Sequence, residues 1–136
     1  MPHKTPHILV TDDERSIRST LKEILEFEDY IVSTVESGQQ ALDFLEDNDI
    51  HLMFLDIKMQ GMDGLETLKR IRDKGLDFPV IMISGHGTID IAVEATKLGA
   101  YDFMEKPPDL NRLLLTVRNA LSQQTLAREV KQIKKN

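Results

Sequence analysis

The chain has no cysteine, no apolar run long enough to cross a bilayer and no excess of basic residues, and each absence removes a class of function. Without cysteine there are neither disulfides nor thiolate metal sites, a composition that suits a reducing compartment. A spanning helix needs about 20 consecutive apolar residues, and no stretch here approaches that. The opening residues, Met1-Pro2-His3-Lys4-Thr5-Pro6-His7, lack the apolar segment of a secretion signal. A cytoplasmic protein with no membrane contact is expected. With 23 Asp and Glu against 17 Lys and Arg, the net charge is −6, which fits poorly with direct nucleic-acid binding through phosphates. The length of 136 residues suits one domain, and 40% hydrophobic content suffices for a core.

The charge is unevenly spread. Arg128, Lys131, Lys134 and Lys135 against Glu129 give residues 126–136 a local charge of +3, so the preceding 125 residues carry −9. Short apolar runs recur along that acidic body: Ile8 to Val10, Ile31 to Val35, Leu52 to Leu55, Val80 to Ile83 and, weakest, Tyr101 to Met104. The third and fourth do not alternate, as expected of strands buried on both faces. Between the runs lie helical stripes. Ile17, Leu21, Ile24 and Leu25 form one. Ser37 and Gln40 read as a capping box before Ala41, Leu42 and Leu45. Leu65, Leu68 and Ile71 form a third, and Ala92, Ala95 and Leu98 precede a terminating Gly99. Leu110, Leu113, Leu114, Val117 and Leu121 form the fifth. Strict alternation of five strands and five helices predicts an α/β fold with a doubly wound parallel sheet. Leu126, Val130 and Ile133 make a short stripe out of phase with the fifth helix. Residues 1–121 are therefore read as one domain, and residues 122–136 as a helical extension or an equally plain solvated end.

In open α/β sheets, sites form beyond the carboxyl ends of the strands. Here those ends carry Asp12-Asp13, Asp56, Ser84 and Lys106-Pro107. Each has a dull explanation on its own: Asp12 and Asp13 as helix caps, Asp56 and Ser84 as turn residues, Lys106 as surface. Their coincidence at four strand ends argues for a shared site. Three carboxylates in one place need compensation, which one dication and one lysine would supply. An all-oxygen donor set suits Mg²⁺. A carboxylate beside such cations can act as a nucleophile toward phosphorus, with Ser84 and Lys106 stabilising the transferring oxygens.

With Met62-Asp63-Gly64, Ser84-Gly85 and Gly99-Ala100-Tyr101-Asp102-Phe103 in order between these positions, the sequence resembles the receiver domain of two-component response regulators over residues 7–121. The resemblance implies a flavodoxin-like sheet of strand order 2-1-3-4-5. It implies that Asp56 is the phosphoacceptor for a sensor histidine kinase. Asp13, Asp56 and the Lys58 backbone carbonyl would bind Mg²⁺ directly, and Asp12 through water. Ser84 and Lys106 would hold phosphoryl oxygens, and the Lys106–Pro107 bond would be cis. Ser84 and Tyr101 would form a switch acting on the face of helix four, strand five and helix five, through which a homodimer would form; simple core packing of Tyr101 is the alternative. Such a domain promotes its own phosphorylation and dephosphorylation without turning over an external substrate. Ser84-Gly85-His86-Gly87 with Glu105-Lys106-Pro107 further resembles receivers of NtrC- and NtrX-like activators. There an ATPase and a DNA-binding domain follow a helical linker, which residues 122–136 would begin. Gln60 stands where many members have Pro, and Pro108 where Phe is common, so both loops depart from the family pattern. Lys58 and His86, two residues beyond Asp56 and Ser84, would modulate water access; an inert loop imidazole is the plain alternative for His86. His3, His7 and His51 have no ligand spacing.

Two other classes fit less well. A Mg²⁺-dependent phosphohydrolase would place a carboxylate two residues after its Asp nucleophile, where this chain has Lys58. A nucleotide- or flavin-binding module would show a Gly-rich loop after the first strand, where Asp12-Asp13-Glu14 stands instead.

Overall fold

The computed structural model describes residues 5–135, with side chains through residue 123. Five strands, β1 (His7–Thr11), β2 (Ile31–Val35), β3 (Leu52–Asp56), β4 (Val80–Ser84) and β5 (Asp102–Glu105), form one parallel sheet of order β2-β1-β3-β4-β5. Five helices connect and follow them: α1 (Arg15–Phe27), α2 (Gly38–Asp47), α3 (Gly64–Asp73), α4 (Ile89–Lys97) and α5 (Leu110–Lys135). This is the doubly wound architecture expected from the alternation of elements.

Successive strand residues feed opposite faces of the sheet. Ile8, Val10, Leu52, Phe54, Ile81 and Ile83 pack with Leu21 and Leu25 of α1 and with Leu113 and Val117 of α5. Leu9, Met53, Leu55, Val80 and Met82 pack with Leu42 of α2, Leu68 and Ile71 of α3, and Ala95 of α4. β3 and β4 are buried at every position, which is why their sequences show no alternation.

Local chemistry sets the helix starts. Ser37 Oγ accepts from the Gln40 amide at 3.1 Å, but the Gln40 side chain accepts from the Glu36 amide rather than from Ser37, so the reciprocal bond sits one residue early. Asp63 caps α3 by accepting from the Glu66 amide at 2.8 Å. β1 ends at Thr11, and β5 begins at Asp102 rather than Tyr101. α5 continues without a break from Leu110 to Lys135, so residues 122–135 extend the same helix. The stripe of Leu126, Val130 and Ile133 lies outside the residues whose side chains are described.

Candidate functional site

Parallel register brings the polar strand ends together. Thr11 lies beside Leu55, Asp56 beside Ile83, and Ser84 beside Glu105. Asp12, Asp56, Ser84 and Lys106 therefore stand in one row across four strands, at the rim where crossovers diverge to opposite faces.

Lys106 closes this row. Its Nζ lies 2.8 Å from Asp12 Oδ2, 3.2 Å from Asp56 Oδ2 and 3.1 Å from Glu14 Oε1. Asp12 and Asp56 are buried, and the Lys106 side chain is only 8% exposed. Burial by itself would lower the lysine, but the Asp12 carboxylate, with Glu14 and Asp56, outweighs it and holds the ammonium above its ordinary range. Asp56 moves in the opposite sense to a paired carboxylate. Burial first, then the negative charge of Asp12, push its pKa up to about 6 against the pull of Lys106, with a small contribution from Asp13. An ordinary buried ion pair would lower it, so this one is under-compensated.

Asp12, Asp13 and Asp56 each present one carboxylate oxygen, all within 4.8 Å of one another, the only such acidic or imidazole group among the described residues. A hard dication placed among three oxygen donors would supply the charge that Lys106 alone does not. The elevated Asp56 pKa and the all-oxygen donor set both fit Mg²⁺.

Asp12 is hydrogen-bonded at every polar atom but Oδ2, whose contact is an ion pair. Its amide donates to the Val35 carbonyl at 3.2 Å, its Oδ1 accepts from the Glu14 amide at 2.8 Å, and its Oδ2 pairs with Lys106. Its carbonyl accepts from Arg18 Nη1 at 2.9 Å, while Arg18 Nη2 pairs with Glu36 at 3.2 Å. Composition offered no sign of this guanidinium, which ties the β1–α1 loop to the start of α2. Arg18→Ala should cost about 2 kcal/mol in urea unfolding, because it orphans a buried carbonyl. Glu36→Gln should cost under about 1 kcal/mol, since that partner is 63% exposed.

Ser84 is buried, and its Oγ accepts from the His86 amide at 3.1 Å, leaving the hydroxyl proton free to donate. The Lys106–Pro107 peptide is cis. Lys58 and His86 are exposed in the loops that leave β3 and β4. Tyr101 stands elsewhere. Its amide donates to the Val80 carbonyl, so it sits level with the amino end of β4, at the edge opposite the site, and it is 36% exposed. Core packing of Tyr101 is therefore not what the fold does with it. The aromatic beside the Ser84 loop is Phe103, whose ring edge fills the space a Cβ at Gly87 would occupy. The sequence offered both aromatics two residues apart, and only the strand register separates them.

Residues 8–118 match the response regulator receiver domain family. The chain is 44% identical over 129 residues to the nitrogen assimilation regulatory protein NtrX of Azorhizobium caulinodans, covering 93% of this chain and 28% of that protein. It is 38% identical over 117 residues to the transcriptional regulatory protein FixJ of Bradyrhizobium diazoefficiens, covering 86% of this chain and 57% of that one. Its structure resembles NtrX from Brucella abortus with a TM-score of 0.88 at 42% identity, covering 96% of this chain and 30% of that one. A CheY-like receiver domain protein from Methanospirillum hungatei aligns with a TM-score of 0.87 at 28% identity, over 91% and 99% of the two chains. The chain thus spans less than a third of the NtrX relatives. Carboxylates, serine and lysine on the carboxyl rim of a β2-β1-β3-β4-β5 sheet, together with the family match over residues 8–118, place this chain in the response regulator receiver domain family.

Proposed function

We propose that Asp56 accepts a phosphoryl group from a sensor histidine kinase. The observation that carries the reading is the under-compensated Asp56, ringed by Asp12, Asp13 and Lys106 at the rim. One Asp56 carboxylate oxygen attacks phosphorus and forms an O–P bond. The donor's N–P bond breaks, its electron pair leaving with the imidazole, and the product is an aspartyl phosphate. Lys106 and the Ser84 hydroxyl donate to the transferring oxygens. Asp12, Asp13, Asp56 and the Lys58 carbonyl would hold Mg²⁺, which supplies charge neutralisation when bound. Lys58 and His86, exposed two residues beyond the two strand ends, modulate water access to the product.

The output follows from the same loop. Drawing Ser84 toward a phosphoryl group alters the space at Gly87 that Phe103 fills. Tyr101, two residues earlier, then registers the change on the α4–β5–α5 face. That face already carries exposed Ile89, Val93, Tyr101, Leu110 and Leu115, a surface suited to a homodimer. By analogy with the NtrX and FixJ relatives, the output is transcriptional. Residues 1–121 act as the receiver, and residues 122–136 serve as the linker toward ATPase and DNA-binding domains. The domain works in the cytoplasm, does not itself bind nucleic acid and turns over no external substrate. No helix among the described residues is long and apolar enough to cross a membrane.

Intact mass after incubation with acetyl phosphate and Mg²⁺ tests this directly. One added phosphoryl group is expected, absent in Asp56→Asn and sharply reduced without metal. Modification persisting in Asp56→Asn would move the site elsewhere. The dication must also compete with the proton on Asp56. Since that carboxyl titrates at about 6, Mg²⁺ affinity measured by calorimetry should be level above about pH 7 and fall by up to about tenfold per unit below 6.

A further inference from the structure

Resting on the phosphoacceptor reading, we propose that Glu14 is a displaceable anion on Lys106 that slows phosphorylation of Asp56. An ammonium has three N–H donors. In this protein three carboxylates crowd it: Glu14 takes a hydrogen bond at 3.1 Å, while Asp12 at 2.8 Å and Asp56 at 3.2 Å are ion pairs. For Lys106 to meet an arriving phosphoryl oxygen, one of the three must give way.

The three are not equally able to do so. Asp12 is fully buried, with its carbonyl, amide and Oδ1 hydrogen-bonded and its Oδ2 held only by the ion pair with Lys106. Asp56 is the nucleophile, buried in β3 between two paired strands. Glu14 is 56% exposed, and water can replace Lys106 around it at little cost. Glu14 is also the N-cap residue of α1, yet its side chain makes no capping bond. The carboxylate is directed to Lys106 instead, so removing it does not uncap the helix. While in place it both occupies a donor and adds negative charge where a phosphoryl group brings more.

During transfer the Asp56 oxygen bonds to phosphorus and the bond from phosphorus to the donor's oxygen or nitrogen breaks. The electron pair leaves with the donor group, which takes a proton from solvent where it needs one. Glu14 takes no part in these bonds; it sets whether Lys106 can meet the oxygens in flight. It is a positioning residue acting through Lys106.

Glu14→Gln and Glu14→Ala, incubated with acetyl phosphate at equal Mg²⁺ occupancy and followed by intact mass, should gain one phosphoryl group about threefold faster than wild type. The alanine variant should be at least as fast as the glutamine variant. In metal-free protein, the Lys106 ammonium protons should exchange faster in Glu14→Ala, as seen by ¹⁵N NMR. Phosphorylated wild type with variants no faster, or unchanged Lys106 exchange, would overturn the role of Glu14 alone. Wild type that gains no mass would overturn the phosphoacceptor reading, and this inference with it.

Discussion

Asp56→Asn is expected to lose all phosphoryl uptake and, without metal, to be more stable than wild type by about 2 kcal/mol near pH 8. The same electrostatics produce both effects. The Asp56 carboxyl has its pKa raised to about 6 by burial and by Asp12, well above its unfolded value of 3.8. Between those values the folded protein keeps a proton that the unfolded chain has released. Ionisation therefore works against folding, with a penalty that grows as pH rises from about 4 and levels off above about 6. Asparagine keeps the shape of the side chain and carries no charge to penalise. Its advantage should shrink toward zero as pH falls from about 6 to about 4, because wild-type Asp56 becomes neutral there. Saturating Mg²⁺ should reverse the order at pH 8, since only wild type retains all three charged ligands. Urea midpoints at the two pH values, with and without Mg²⁺, check each part. A variant less stable than wild type in metal-free buffer at pH 8 would show that Lys106 fully compensates Asp56.

Gly64→Ala should destabilise the protein by about 3 kcal/mol and lower its melting temperature by about 10 °C. Gly64 opens α3 directly after the loop that leaves β3, and its amide donates to the Ile57 carbonyl at 2.8 Å. A Cβ there would collide with the backbone carbonyl oxygen of Asp56 and stand 2.8 Å from Ile57 Cα. These are backbone atoms, so no rotamer change relieves the contact; the α3 terminus or the end of β3 must shift. A shift of β3 moves the Asp56 carbonyl and the nucleophile with it, so uptake of phosphate should fall too. Gly61→Ala is a different case, with a φ of +78° and nothing near the added carbon. Its cost should be conformational and about 1 kcal/mol. Thermal melts of the two variants side by side separate a steric from a conformational glycine.

Much of this was legible in the residues. The alternation of apolar runs with helical stripes predicted five strands and five helices. The unbroken apolar character of Leu52 to Leu55 and Val80 to Ile83 placed those strands inside the sheet, and both are buried at every position. Asp12, Asp56 and Lys106 stood out because strand ends on one rim must converge, and their mutual distances of 2.8 and 3.2 Å follow from that convergence. The reason is physical: burial on both faces leaves a periodic imprint, and a parallel sheet puts every carboxyl end on the same side.

Other features carried no such imprint. Arg18 and Glu14 lie on or at the start of α1 among other charged residues, and nothing in their spacing distinguishes them from a solvated helix face. Their roles depend on how α1 is set against β1 and on a lysine 92 residues away in the chain. Tyr101 and Phe103 are both aromatic, both near β5, and of the same parity. Only the register of β5 on β4 puts Phe103 against Gly87 and leaves Tyr101 at the far end of the strand.

The sequence alone therefore determined the fold class, the rim and the acidic chemistry of the site, because hydrophobic periodicity and strand-end position are local and repeat along the chain. Tertiary structure alone decided which charges pair with Lys106, how far Asp56 is left uncompensated, and which aromatic touches the Ser84 loop. Those depend on ångström-scale separations between distant segments, and electrostatic energy falls with distance and changes with burial.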